Sequence, residues 1–270
     1  MSSPIGTVVT ANRVRGGSFA ARPSQYYMGY WPCQQADGDA DDEQVTDRSG
    51  KGAHATLGSL TSAEAWANAT FVTSVKEGGH HAQIPLAYWT HRFSLGSLIV
   101  AGWMRTVTDG VNAFRVLGNS VDAARTGFAL VVTSTGDLQV NIVNTTTPSN
   151  FTNSTSPAVP YATDTLHSWL MAYDQPTCSF SIFVDAVARL TNNTALSRTT
   201  VEGADAAVTA PVHIGGRPGT STTNITVVRT RHLHALDFPG RGLPSNLAAI
   251  AHRLHHHPRL MLTDQELSWA

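Results

Sequence analysis

From residue 93 to about residue 234, apolar and polar positions alternate in short blocks broken by Gly, Pro, Asn and Asp. In Leu138-Gln139-Val140-Asn141-Ile142 the apolar residues share one face and the two amides the other, the period-two pattern of a strand with one wet side. Gly127–Thr133 lies ahead of it across Ser134-Thr135-Gly136-Asp137, so the two segments predict a hairpin. A second hairpin is predicted from Leu166–Tyr173 and Cys178–Asp185 across Asp174-Gln175-Pro176-Thr177. Phe93–Met104 is an apolar run too rich in Ser and Gly for a good helix, and it reads as a buried strand. Val212–Gly216 is a strand closing on two glycines, and Asn224–His234 alternates again. Residues 144–160 are too polar to bury area and read as a surface loop. The pattern predicts an all-β protein, an antiparallel sandwich.

The two ends depart from this pattern. Residues 1–30 mix Gly, Ser, Arg and Pro without sustained periodicity and predict an extended N-terminal arm. Five acids within Asp37–Glu43 suggest a calcium loop, but their spacing does not match an EF-hand, and a solvated loop is the better reading. Near the C-terminus, Leu247, Ile250, Ala251 and Leu254 recur at helical spacing, with Ser245 or Asn246 as N-cap and Pro258 as the stop. Thr263-Asp264-Gln265-Glu266 is a capping-box sequence that starts a last turn or two. The expected organisation is an arm over 1–30, a β domain over 31–238 and a C-terminal helical segment over 239–270.

Composition narrows the function. Lys+Arg 18 against Asp+Glu 19 gives a net charge of −1, which leaves no sequence-wide positive field for a nucleic acid. Only 14% of residues are charged, while Ser and Thr number 54 and Asn 12, so the surface is built from hydroxyls and amides. No apolar stretch approaches the ~20 residues that cross a bilayer, so no membrane insertion is expected. Met1–Gly6 carries no basic region before an apolar run, and classical secretion is not expected. Cys33 and Cys178 have no CxxC partner and read as buried thiols. Of the cations, 16 are Arg and two are Lys (Lys51 and Lys76), a compositional bias without a mechanistic message.

The order of these pieces resembles the concanavalin A-like lectin/glucanase superfamily, specifically its laminin-G-like and pentraxin-like jelly rolls. Asp47-Arg48-Ser49-Gly50-Lys51-Gly52, followed by a strand, is similar to the family's opening Asp-x-Ser-Gly-x-Gly motif. Gly127–Val143 is similar to its central hairpin, Leu166–Val187 to its His-x-hydrophobic … Phe-Val-Asp-Gly hairpin, and Val212–Gly216 to its Ile-Gly-Gly strand. Where the family has Asp-Gly this chain has Asp185-Ala186, and Ala resists the positive φ of a type I′ turn. The tail from Leu247 to Leu267 resembles the ending of jelly-roll proteins encoded by tailed bacteriophages, which implies a virion location. The fold implied is a jelly roll with short C-terminal helices.

Motifs for catalysis and metals are weak. Family glucanases place carboxylates at alternating strand positions about 5 Å apart, and no such pattern occurs among the five Glu (Glu43, Glu64, Glu77, Glu202, Glu266). Of the twelve histidines, His80-His81 and His255-His256-His257 are contiguous, which points neighbouring rings to different faces. His252 and His256 form an i, i+4 pair without the HExxH acid, and His167, His213, His232 and His234 fall on strands. No cofactor is expected and no catalytic or metal residue is assigned. Ca²⁺ is a ligand that the resemblance alone implies, with Asp109 and Asp122 as its candidates. Tyr88, Trp89, Trp103 and Trp169 are the aromatic platforms a sugar site needs, though most sit in apolar runs typical of a core. The expected function is therefore non-enzymatic: a virion structural protein of a tail, baseplate or fibre. It would assemble with copies of itself, as a trimer for example, and with other virion proteins, and contact a host-surface glycan. The alternatives are a free carbohydrate-binding module and a glycan-cleaving enzyme.

Overall fold

The computed structural model describes residues 22–34, 44–58, 66–67, 70–74, 81–107, 114–119, 127–133, 136–143, 151–154, 165–193, 198–205, 210–216 and 227–269. Two antiparallel sheets face each other in a jelly-roll sandwich. The first runs in the order β14 (Val187–Asn193), β13 (Ser179–Val184), β12 (Leu166–Asp174), β7 (Gly96–Val107), β16 (Val227–Pro239), β5 (Thr70–Ser74) and β4 (Trp66–Ala67). Strand β16 is long enough to pair β5 along its first part and β1 (Tyr27–Trp31) along its second. The second sheet runs β11 (Phe151–Ser154), β10 (Leu138–Val143), β9 (Gly127–Val132), β8 (Phe114–Gly118), β15 (Val212–Gly215), β6 (His81–Ile84), β3 (Ala55–Gly58) and β2 (Gln44–Val45).

Both expected hairpins form, with Val140 opposite Leu130 and Met171 opposite Ile182. Their inward rows, including Phe128, Leu130, Val140, Ile142, Trp169, Met171, Phe180 and Ile182, meet between the sheets in one core. The first sheet is buried on its other face as well. Ile99, Ala101, Leu170, Ala172, Phe183, Leu236 and Phe238 point outward from the sandwich, into a second cluster with Ile250, Ala251, Leu254, Leu262 and Leu267. These last five belong to helix α2 (Leu247–His256) and the tail behind it. Burying a Leu or Ile side chain contributes about 1.5–3 kcal/mol, so the C-terminal segment is held mainly by its apolar stripe. Asn246 does occupy the N-cap position, but its amide donates to Glu266 O (2.8 Å) and accepts from Ser268 N (3.2 Å), bridging helix to tail. Behind the helix, the Thr263 N–H and hydroxyl both donate to Glu266 Oε2, at 2.8 and 3.0 Å, around a 3-10 turn over Asp264–Glu266.

Four details differ from the sequence reading. The arm was expected to last to residue 30, yet β1 already begins at Tyr27, because Tyr27, Gly29, Tyr30 and Trp31 pair with β16. Phe151–Ser154, inside the expected 144–160 loop, adds to β10 as an edge strand through its backbone, which polar side chains do not prevent. Helix α1 (Arg198–Asp205), unforeseen, buries Val201 and Ala204 in the core. Asp185 and Ala186 both adopt positive φ, 49° and 62°, so the two-residue turn between β13 and β14 forms although alanine, not glycine, occupies its second position. Asp185 supports that turn by accepting from Ser168 N (3.0 Å) and His167 Nδ1 (2.7 Å). The arm to residue 21, the acidic run 37–43, and Asp109 and Asp122 lie outside the described residues.

Candidate functional site

The opening Asp-x-Ser-Gly-x-Gly motif builds a tight loop around one carboxylate. Asp47 is 6% exposed and accepts four hydrogen bonds: at Oδ1 from Tyr30 N (2.8 Å) and Ser49 N (2.9 Å), at Oδ2 from Ser49 Oγ (2.9 Å) and Ala53 N (3.1 Å). Gly50 and Gly52 take φ of +83° and +76°, values that L side chains rarely adopt, and this explains the two glycines of the motif. The loop is also tied to β1 by Arg48 N donating to Tyr30 O (2.7 Å) and by Trp31 Nε1 donating to Ala53 O (2.7 Å). The exposed Lys51 rides at its tip.

Three other segments meet this loop where β16 ends. After β6, Pro85 starts a 3-10 turn over Leu86–Tyr88 that leaves the Tyr88 ring 40% exposed while Trp89 is buried against Phe128. Residues 24–28 enter β1, anchored by Ser24 Oγ donating to Asp264 Oδ1 (2.6 Å). At the end of β16, Asp237 accepts from the Nδ1 of buried His91 (2.8 Å), and Gly240 turns the chain to present Arg241. The Arg241 guanidinium lies over the rings of Tyr26 (5.8 Å) and Trp269 (5.3 Å), which themselves pack on Phe238. Together these pieces enclose a groove of about 660 Å³, lined by Gln25, Tyr26, Lys51, Tyr88, Thr90, Asp237 and Arg241 among others. Partly exposed aromatic rings beside amide, hydroxyl, carboxylate and cationic groups are the chemistry that holds a polyhydroxylated ligand.

The sequence candidates distribute unevenly around this groove. Of the four aromatics, Tyr88 lines it, while Trp89 and Trp169 are buried in the core and Trp103 stacks on His255 at 5.2 Å beneath α2. Lys51, read from composition as mere bias, belongs to the site. Asp237 and Arg241 carry no local signal, because the groove joins segments more than 200 residues apart in sequence.

Several histidines serve structure. Tyr27 Oη donates to His234 Nδ1 (2.9 Å) and accepts from Leu262 N (3.0 Å), while His234 Nε2 donates to Pro258 O (2.9 Å). This chain of bonds fastens the tail to β1 and β16, and burial pushes the His234 pKa down to about 3. His232 stands 3.1 Å from Tyr30 Oη, and His255 2.7 Å from Ser168 Oγ. His213 packs edge-on against His81 at 4.6 Å, and burial, then the charges of His81 and Arg115, push it to about 4. His252 and His256 have ring centroids 4.3 Å apart on the exposed side of α2. Among the described residues no group of three or more His, Cys, Asp or Glu gathers at metal-binding distance. Cys33 and Cys178 are both buried thiols.

Comparison with solved structures places the fold. The botulinum neurotoxin serotype D/C binding domain superposes with a TM-score of 0.58 at 8% identity, covering 87% of this chain and 52% of that one. By fold, the chain is an antiparallel β-sandwich. A structure of botulinum neurotoxin type C, whose cell entry is described as dependent upon interaction with two ganglioside molecules, gives 0.56 at 9% identity over 87% of this chain and 52% of the other. The serotype G binding domain gives 0.53 at 10% identity, over 85% of this chain and 50% of that one. The chain therefore spans about half the length of the structures it matches. No protein-family model matches the sequence, and no curated protein is significantly similar to it.

Proposed function

We propose that this chain is a non-enzymatic binding domain that contacts glycans through the groove at the end of β16. The observation that carries this reading is the exposed Tyr88 ring standing across a groove whose other walls supply Gln25, Thr90, Asp237, Lys51 and Arg241. A sugar ring lays its C–H face on an aromatic and satisfies its hydroxyls with planar side chains, which is what these residues offer. The similar neurotoxin structure, from a toxin whose cell entry is described as dependent upon interaction with two ganglioside molecules, supports the reading by analogy of fold. Calorimetric titration of the protein with a panel of oligosaccharides tests it, with Tyr88→Ala as the control. Binding weakened about tenfold or more by the substitution supports the proposal, since stacking and its burial amount to about 1–2 kcal/mol. Absence of binding to every sugar at millimolar concentration overturns it.

We further propose that the domain works within a bacteriophage virion, as a tail, baseplate or fibre part assembled with copies of itself. The support is the C-terminal pattern from Leu247 to Leu267, together with Leu95, Val187 and Leu260, which remain more than half exposed in the single chain. Sedimentation equilibrium tests it: a trimer or larger supports the assembly role, and a monomer at all concentrations overturns it.

A further inference from the structure

We infer that the groove selects an acidic saccharide, one carrying a carboxylate or sulfate group, over a neutral one. This rests on the glycan reading above and adds the chemical class. Three side chains with formal charge line the groove: Lys51, Arg241 and Asp237. Asp237 is engaged by the buried imidazole of His91 at 2.8 Å, so its charge already has a donor facing it. Neither Lys51 nor Arg241 forms an ion pair with a described carboxylate. Two cations at one groove with no carboxylate partner among the described residues stand out in a chain of net charge −1 that contains just two lysines.

Both cations are carried on fixed backbone. Lys51 sits between two glycines at positive φ on a loop fixed by the four bonds to Asp47. The Arg241 guanidinium lies over the Tyr26 and Trp269 rings (5.8 and 5.3 Å), its carbonyl accepts from Ser97 Oγ (2.8 Å), and its backbone N–H donates to Phe238 O (3.2 Å). A guanidinium stacked on aromatics keeps its N–H fork available for the two oxygens of a carboxylate or sulfate, and its rotamer freedom is already spent. Tyr88, beside the Lys51 loop with its Oη 3.8 Å from where a Cβ on Gly52 would stand, offers the ring face for the sugar itself.

The test compares matched probes on the intact chain by calorimetry: hyaluronan tetrasaccharide against neutral chitotetraose, and 3′-sialyllactose and a chondroitin sulfate tetrasaccharide against lactose. At least one acidic probe is expected to bind about tenfold tighter than its neutral counterpart, the preference shrinking severalfold between about 50 and about 500 mM salt. Lys51→Gln, a change at an exposed side chain, is expected to remove about half of the preference on a logarithmic scale, and Arg241→Gln the other half. Equal affinity for acidic and neutral probes overturns the inference and leaves the glycan reading standing. A preference unchanged in Lys51→Gln also overturns it, by moving the selectivity to another surface. Failure of all probes, neutral and acidic, overturns the glycan reading and the inference with it.

Discussion

Replacing Asp47 by Ala removes the carboxylate on which the groove's loop is wound. Two of its four donors, the N–H groups of Tyr30 and Ala53, belong to buried residues and have no water to turn to. Leaving a buried donor unsatisfied costs about 1–3 kcal/mol. The Ser49 N–H and hydroxyl lie nearer the surface and recover part of their bonding from solvent. The expected loss is therefore about 3–4 kcal/mol, a large share of the 5–15 kcal/mol that holds a typical domain together. At about 3 °C per kcal/mol for a chain of this size, the melting temperature falls by about 10 °C. Asp47→Asn keeps the shape but turns an N–H group toward a donor, and should cost about half as much. Urea denaturation followed by tryptophan fluorescence measures both, with Trp31 a built-in reporter because its indole donates to Ala53 O in the same loop. The Asp47→Ala variant should also lose saccharide affinity, since Lys51 is carried by that loop. A stability loss below about 1 kcal/mol would refute the argument that this carboxylate organises the segment.

Acid should weaken the fold before most carboxylates titrate. His213 and His234, with folded pKa values near 4 and 3, stay neutral while the unfolded chain takes up protons below 6.5. Their contribution is complete above 6.5 and is lost as pH falls toward those folded values. At pH 5 the loss amounts to about 2 kcal/mol for each, so a urea midpoint that does not move between pH 7 and pH 5 would contradict it. Ala186→Gly should stabilise by about 0.5–1 kcal/mol, the relief of a strained positive φ less the entropy of a looser unfolded chain; unchanged or lower stability in thermal melts would count against the strain. Leu254→Ala should cost about 2–4 kcal/mol and raise proteolytic cutting within 243–269 ahead of the sandwich, because Leu254 seats α2 on the first sheet. Uniform cutting across the chain would show that the segment is not separately held.

The hairpins were legible because β9, β10, β12 and β13 carry dense apolar residues and their turns carry Gly or Pro. Where the sequence stopped alternating, the cause was tertiary. Residues Trp169–Tyr173 are buried one after another, with no alternation, because the C-terminal segment covers the face that would otherwise meet water. Strand β11 was illegible because its pairing runs through the backbone, and Thr and Asn there imitate a loop. The Asp47 motif was visible as a string and explicable only once Tyr30 and Ala53 were seen to converge on it. Of the groove, Tyr88 alone was named as a candidate in advance; Lys51, Asp237 and Arg241 acquire meaning from a juxtaposition that no local spacing encodes.

The layering of the C-terminal segment over the first sheet has a practical corollary. A chain cut after Pro239 would keep every strand, yet it would bare a greasy plate of Ile99, Leu170, Phe183, Leu236 and Phe238 and also lose Arg241 and Trp269 from beside the groove. Such a trimmed version would clump through that plate and, on the glycan reading proposed above, bind saccharide more weakly. The last thirty or so residues thus act as lid and cornerstone together, and the sandwich can be shortened from that end only by redesigning the surface they hide.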